Sequence, residues 1–223
     1  MPFLVFLKSF EDLLYEIMSW LVFYPRTLWR SVRHPMQMMS RGEQDLSLPA
    51  SEQFRDILSP PIFLLLTILL AHGLAVVLVG DHDLIASNRG LARLIRDDTS
   101  LILFRIVAFA AVPVIAGAFA ARIFGRELDR VTLQPMFYAQ CFATTPVVLF
   151  YSSAGTLSRL TGAWLVLAEA MLLAASLFYL AVEASWFRRE LKRGWLLAIV
   201  YAGAVFLISS LVLGSAALLF AIQ

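Results

Sequence analysis

Five long apolar stretches constrain this chain more than any other feature. The hydrocarbon core of a bilayer is about 30 Å thick, and a helix crosses it with about 20 apolar residues. Such stretches, numbered here as spans one to five, lie at 62–79, 100–123, 133–153, 161–187 and 195–222. Lipid offers no hydrogen-bond partners to a backbone, so each stretch must be helical. The sequence therefore predicts an all-α polytopic membrane protein with its transmembrane domain at residues 60–223.

The composition excludes most other classes of protein. Sixty per cent of the residues are hydrophobic and 15% are charged, against about 45–50% and about 25% in soluble domains. A single cysteine excludes a disulfide framework and the common cysteine-based zinc sites, and a net charge of +2 does not suggest nucleic acid. There is no P-loop and no H-E-x-x-H or G-x-S-x-G motif. We predict no catalytic residue, no metal and no cofactor.

The distribution of basic residues orients the spans. With the N-terminus inside, the inner segments carry 13 lysines and arginines and the outer segments carry four. An excess of basic residues marks the cytoplasmic side, so we predict five helices with the N-terminus in and the C-terminus out. Three of the four outer residues lie in one loop, at Arg89, Arg93 and Arg96. Arginine makes up 16 of the 18 basic residues, a bias typical of GC-rich bacterial genomes, which points to a bacterial inner membrane.

The segment before the spans has the pattern of interfacial helices. Apolar residues recur at helical spacing from Phe3 to Leu21, with charged residues largely between them. This pattern predicts amphipathic helices at residues 1–41 that lie in the inner membrane interface, with a break or bend at Pro25. Residues 42–59 are polar and contain proline, and we predict that they form a linker into span one.

Basic residues in this segment are candidates for contact with lipid headgroups. Arg26, Arg30 and Arg33 recur at i, i+4 and i+7 and share a helix face close to Trp29. Such a face suits anionic lipids, at about 1 kcal/mol for each basic residue near the surface. The alternative is that these arginines belong to the ordinary basic excess that orients membrane proteins.

Three ionisable residues inside the spans need partners, because a charge near the bilayer centre costs at least about 2.5–3.5 kcal/mol. Arg105 and Glu169 both lie a few turns from the outer boundary and carry opposite charges. We expect them to pair, either as a brace between helices or as a proton- or ion-coupled site, unless Arg105 extends outward to the interface. His72 either bonds a neighbouring helix or relays protons.

Span three is the most polar of the five. Gln140 and Thr144 are four residues apart and share a helix face. Pro146 in the same span and Pro113 in span two remove backbone hydrogen bonds. The resulting kinks either shape a binding cavity or simply shape the helix bundle.

Short motifs in spans two to four resemble the Yip1-domain family of membrane proteins. They are Phe124–Glu127 after span two, Tyr138–Pro146 in span three, and Glu183 near the inner end of span four. The layout of a cytosolic N-terminal region followed by five closely spaced helices is also similar, and the resemblance covers about residues 58–222. It implies a helical membrane domain with a role in membrane organisation, and it supplies no catalytic residue. The prenylated GTPases bound by eukaryotic members are not expected as partners in a bacterium.

Two functions are compatible with these features. The first is a non-enzymatic scaffold, adaptor or accessory subunit that associates with anionic lipids and with partner membrane proteins or copies of itself. The alternative is a small oligomeric transporter or channel that uses the polar residues inside the spans. A transporter predicts a water-accessible cavity between spans one, three and four, whereas a scaffold does not.

Overall fold

The computed structural model describes the backbone of residues 2–79, 98–192 and 194–221, and the side chains of 7–79, 99–192 and 194–215. Every regular element in these ranges is helical, which confirms the all-α prediction for them. The α-helices are α1 (Pro2–Arg33), α2 (Pro35–Gln44), α3 (Pro60–Val79), α4 (Asp98–Ile123), α5 (Arg130–Leu157), α6 (Ala163–Leu191) and α7 (Trp195–Ala221), with a short 3-10 helix at Asp45–Ser47. The loop with Arg89, Arg93 and Arg96 lies outside the described residues.

Four helices in the described ranges are long and apolar enough to cross a membrane. They are α3, residues 99–123 of α4, α6, and residues 195–215 of α7. No more than a third of the most apolar part of each helix is buried within the chain, so most of its side chains face outward. Outward-facing apolar side chains suit a lipid environment. The architecture is that of a multi-pass membrane protein.

Span three lies in α5, which is not among these four helices because polar residues interrupt its apolar ones. Its middle contains the longest run of buried residues in the described part, the eight residues 139–146. Eight residues make more than two helical turns, so every face of α5 is covered there. The helices α2, α3, α4 and α6 pack around it. The most polar of the five predicted spans is therefore the central one.

Short capped turns connect α4, α5 and α6. Gly125, after α4, has a φ of +67°, and Gly162, before α6, has a φ of +72°, a region that glycine enters without a steric penalty. The N-terminus of α5 is capped by Asp129, whose carboxylate accepts a hydrogen bond from the backbone N–H of Thr132 at 2.7 Å. The tight turns keep the consecutive helices adjacent.

Two features of the N-terminal region differ from the prediction or add to it. The first helix does not end at Pro25 but continues to Arg33. The break comes at His34, whose φ of −133° and ψ of 55° are not helical, and Pro35 then starts α2. A proline disfavours the helical conformation in the residue before it and is well tolerated at the first position of the next helix.

The second feature, which the sequence does not reveal, is that one face of α2 packs against the rest of the protein. Met38, Met39 and Gly42 are buried, and the backbone of α2 approaches the backbone of α5. The predicted linker is also packed, because Ile57 and Leu58 are buried beside Met38. Within the predicted interfacial segment, residues 7–18 of α1 form the longest stretch in which every described side chain is exposed.

Gly42 gives a test of this packing. A Cβ at position 42 would lie 2.9 Å from the backbone nitrogen of Ala139 and 3.0 Å from the carbonyl of Tyr138, whereas a Cβ at Gly73 meets nothing within 4 Å. We expect Gly42→Ala to destabilise the protein by about 1–3 kcal/mol and Gly73→Ala to stay within about 0.5 kcal/mol. Thermal unfolding of the purified protein in detergent measures both. Equal stability of the two variants would contradict the close approach of α2 and α5.

Candidate functional site

Polar side chains from α5 and α6 face one another inside the bundle. On α5 they recur at i, i+4 and i+11, and on α6 at i, i+3 and i+7, spacings that place each set on one helix face. We call these six residues the polar seam: Gln140, Thr144, Tyr151, Ser176, Tyr179 and Glu183. Because α5 is enclosed, the seam lies in the interior of the described bundle.

Glu183 and Gln140 form the end of the seam that lies nearer to α2, which we call its inner end. Both side chains are 0% exposed. The Nε2 atom of Gln140 donates a hydrogen bond to Oε2 of Glu183 at 3.2 Å, which orients the amide with its oxygen directed away. The other oxygens of the two side chains, Oε1 of Gln140 and Oε1 of Glu183, have no hydrogen-bond partner within the described ranges.

Tyr179 and Thr144 continue the seam about one turn further on. Tyr179 lies beside Thr144 and within electrostatic range of Glu183. Their side chains are buried, and neither hydroxyl makes a well-formed hydrogen bond to another described residue. A buried polar group without a hydrogen-bond partner costs about 1–3 kcal/mol of folding stability. Several such groups lie close together in this part of the bundle.

The outer end of the seam is closed by a pair of hydroxyl groups. Ser176 donates its hydroxyl hydrogen to the backbone carbonyl of Leu172 at 2.7 Å. Its oxygen can therefore accept a hydrogen bond from the hydroxyl of Tyr151 at 2.6 Å. These groups satisfy one another, in contrast to the oxygens at the inner end.

A small cavity of about 50 Å³ adjoins the middle of the seam. Thr144, Tyr151 and Tyr179 line one side of it, and side chains of α4 and α7 complete the wall. Ser209 of α7 also lines it, and its buried hydroxyl has no partner in the described part of the chain. A volume of this size admits one or two water molecules or a small ion.

The predicted polar residues of span three are thus brought together, but their principal partner was not predicted. Gln140 and Thr144 share a face as expected, and that face meets Glu183. From the sequence, Glu183 stands out only as one of the motifs that resemble the Yip1-domain family, and not as an ionisable residue that needs a partner. The available signal was its place within span four, between Val182 and Ala184 and two turns before the helix ends.

The expected pair of Arg105 and Glu169 does not form. Arg105 instead donates from Nη1 to Nδ1 of His72 at 2.8 Å, and Glu169 is exposed on α6. A guanidinium can only donate, so the ring nitrogen accepts and the imidazole carries its proton on Nε2. His72 therefore bonds a neighbouring helix, one of its two predicted roles.

The arginines predicted to bind headgroups divide into two groups. Nη1 of Arg30 lies 2.6 Å from a carboxylate oxygen of Asp56, and Arg26 approaches the same oxygen at 3.7 Å. Arg33 and Trp29 stay exposed, with the guanidinium 5.6 Å from the indole centroid. Only this second pair is both exposed and uncommitted to a carboxylate among the described contacts.

Asp56 joins the N-terminal helices to the start of the bundle. Arg41 of α2 binds it at 2.6 Å and also binds Asp45 at 3.3 Å. Hydrogen bonds from Arg41, together with those from Arg30, hold the pKa of Asp56 well below its usual value. The ion pairs therefore persist at any pH at which the protein is ordinarily handled.

Glu43 lies where α2 meets the end of α6. Burial raises its pKa to about 7, and the neighbouring Glu190 adds to the rise, while Arg189 and Arg126 oppose it. The carboxyl group therefore changes charge near neutral pH.

In the part of the chain that the structure describes, no group of three or more histidine, cysteine, aspartate or glutamate side chains is positioned to hold a metal ion. No protein-family model, curated protein or solved structure matches the chain. The polar seam and the exposed half of α1 are therefore interpreted from their own chemistry.

The raised pKa of Glu43 predicts a pH-dependent stability. Because the folded protein holds this proton more tightly than the unfolded chain, stability falls as pH rises from about 4.5 through about 7. We expect Glu43→Gln to unfold at a higher temperature than wild type above pH 7, with the difference vanishing below pH 4.5. Glu52→Gln, which changes an exposed carboxylate, is the matched control. A difference for Glu43→Gln that does not vary with pH would contradict this interpretation.

Proposed function

We propose that this chain is a non-enzymatic, five-span protein of the bacterial inner membrane that acts as a scaffold, an adaptor or an accessory subunit. The observation that carries the proposal is the first half of α1. Every residue from 7 to 18 is exposed, so this stretch projects from the rest of the described protein. A helix of this kind is available to lipid and to partner proteins.

The chemistry of α1 suits a membrane interface. Leu7, Phe10, Leu14, Ile17 and Leu21 recur at helical spacing, and all five are exposed. Charged residues lie on the opposite face, at Lys8, Glu11, Asp12 and Glu16. A helix with separate apolar and charged faces lies in the plane of the interface with its apolar face in the acyl region. The exposed Arg33 and Trp29 extend this surface toward anionic headgroups.

The fifth span is assigned to α5, and three observations support it. Its 28 residues extend about 42 Å, more than the hydrocarbon thickness. Its polar side chains are shielded by the helices around it. The order of the helices along the chain also resembles that of the Yip1-domain family, and with it we propose an inner N-terminus and an outer C-terminus.

Spin labels test the position of α1 directly. In a Cys141→Ala background, single cysteines replace Leu14 on the apolar face and Tyr15 on the charged face, and the labelled proteins are placed in nanodiscs of anionic lipid. We expect the label at 14 to collide mainly with oxygen, which partitions into lipid, and the label at 15 to collide mainly with a water-soluble nickel complex. Equal aqueous exposure at both positions would contradict an interfacial helix.

Partner association tests the scaffold function itself. We expect a double variant, Leu14→Glu with Leu21→Glu, to lose at least tenfold in recovery of partners cross-linked in native membranes and purified in mild detergent. Tyr15→Glu, which adds one negative charge to the other face, is expected to retain them. A wild-type protein recovered only as a free monomer would contradict the scaffold function.

The polar seam favours transport as the second candidate function. Ionisable residues enclosed within membrane helices often mark ion or substrate pathways. Proteoliposomes loaded with Na⁺ or held under a proton gradient distinguish the two functions. Flux that Glu183→Gln abolishes would support transport, and the absence of flux under all gradients would support the scaffold.

A further inference from the structure

The carboxylate of Glu183 has an unusual electrostatic position. It is 0% exposed, and no lysine, arginine or histidine forms an ion pair with it within the described part of the chain. Its one hydrogen bond comes from the neutral amide of Gln140. A charged group in a dry interior is costly unless an opposite charge accompanies it. Glu183 therefore needs either a proton or a positive ion that is not part of the chain.

The surrounding atoms favour a positive ion. Two buried oxygens have no partner in the described ranges, Oε1 of Glu183 and Oε1 of Gln140, and the hydroxyls of Thr144 and Tyr179 lie beside each other without a well-formed hydrogen bond. The two Oε1 atoms of the ionised carboxylate and the amide are acceptors only, so they cannot satisfy each other. A carboxylate, an amide carbonyl and hydroxyls are the oxygen ligands typical of hard cations.

The charge of the site limits the ion to a monovalent one. Glu183 supplies a single negative charge, and a divalent ion would leave a net positive charge in a low-dielectric interior. The described residues also contain no cluster of acidic or histidine side chains of the kind that holds divalent metals. Glu183 and Gln140 are 0% exposed and do not line the nearby cavity of about 50 Å³, whose surface is almost entirely apolar. The site therefore has no room for an organic ammonium ion.

We propose that the inner end of the polar seam binds one small monovalent cation, held by Glu183 and Gln140 with the hydroxyls of Thr144 and Tyr179. The bound ion neutralises the carboxylate and supplies a partner to these oxygens. It joins α5 to α6 at the centre of the bundle. The proposal does not depend on which of the two candidate functions is right. A scaffold would hold the ion permanently as part of its structure, whereas a transporter would release it, and both would bind it through the same oxygens.

Thermal unfolding of the full-length protein in detergent tests the site. At constant ionic strength, NaCl replaces choline chloride stepwise, and we expect a saturable rise in the unfolding temperature of wild type. Glu183→Gln should remove the Na⁺ dependence. Glu169→Gln, which changes an exposed glutamate on the same helix, should retain it. A rise of the same form with Li⁺ or K⁺ would also support a monovalent site.

Direct binding provides the second measurement, and it remains informative if Glu183→Gln fails to fold. Equilibrium dialysis with radioactive Na⁺ should give one ion for each wild-type chain. Thr144→Val keeps the shape of the side chain and removes its hydroxyl, and it should raise the Kd for Na⁺ about tenfold. Two results would overturn the proposal: wild type that binds no Na⁺ and gains no stability from Na⁺, Li⁺ or K⁺, which would indicate a protonated Glu183, or Glu183→Gln that binds Na⁺ as well as wild type.

Discussion

Enclosure of a polar helix is the constraint on which the rest of this structure depends. The surface of a helix that faces lipid must be apolar, and the polar side chains of α5 therefore have to be covered by other helices. The helix is accommodated because eight consecutive residues at its centre are buried beneath the surrounding helices. The four apolar helices face outward with most of their side chains, and α2 covers part of the inner side of α5 at Gly42. The arrangement separates an apolar outer surface from a polar interior.

That separation explains where the polar groups lie. Gln140 and Thr144 can point toward α6 because neither meets lipid, and Glu183 meets them there. Arg105 and His72 satisfy each other at a second place, between α3 and α4. Arg30 and Arg41 are held by Asp56, whereas Arg33 stays exposed. Glu183 differs from these groups because it is fully buried and its one hydrogen bond among the described residues comes from a neutral amide rather than from a cation.

Much of the fold can be predicted from the sequence, because apolar length is a local property. The positions of the helices follow from it, as does the shared face of Gln140 and Thr144. The partners across helices cannot be predicted in the same way. Arg105 meets His72 rather than Glu169 because helix neighbours are set by packing, which a single sequence does not encode. The burial of α2 depends on Gly42 meeting the backbone of α5, and no periodicity in ten residues reveals such a contact.

The central assignment is that the polar helix α5 crosses the membrane surrounded by apolar helices. The side of the membrane on which each terminus lies tests it. An odd number of spans places the termini on opposite sides, and an even number places them on the same side. Reporter domains active on one side only, fused separately to each end of the full-length chain, measure this. We expect the N-terminal fusion to report the cytoplasm and the C-terminal fusion to report the outside. Both reporters on one side would show that α5 does not cross, and its assignment as the fifth span would have to be abandoned.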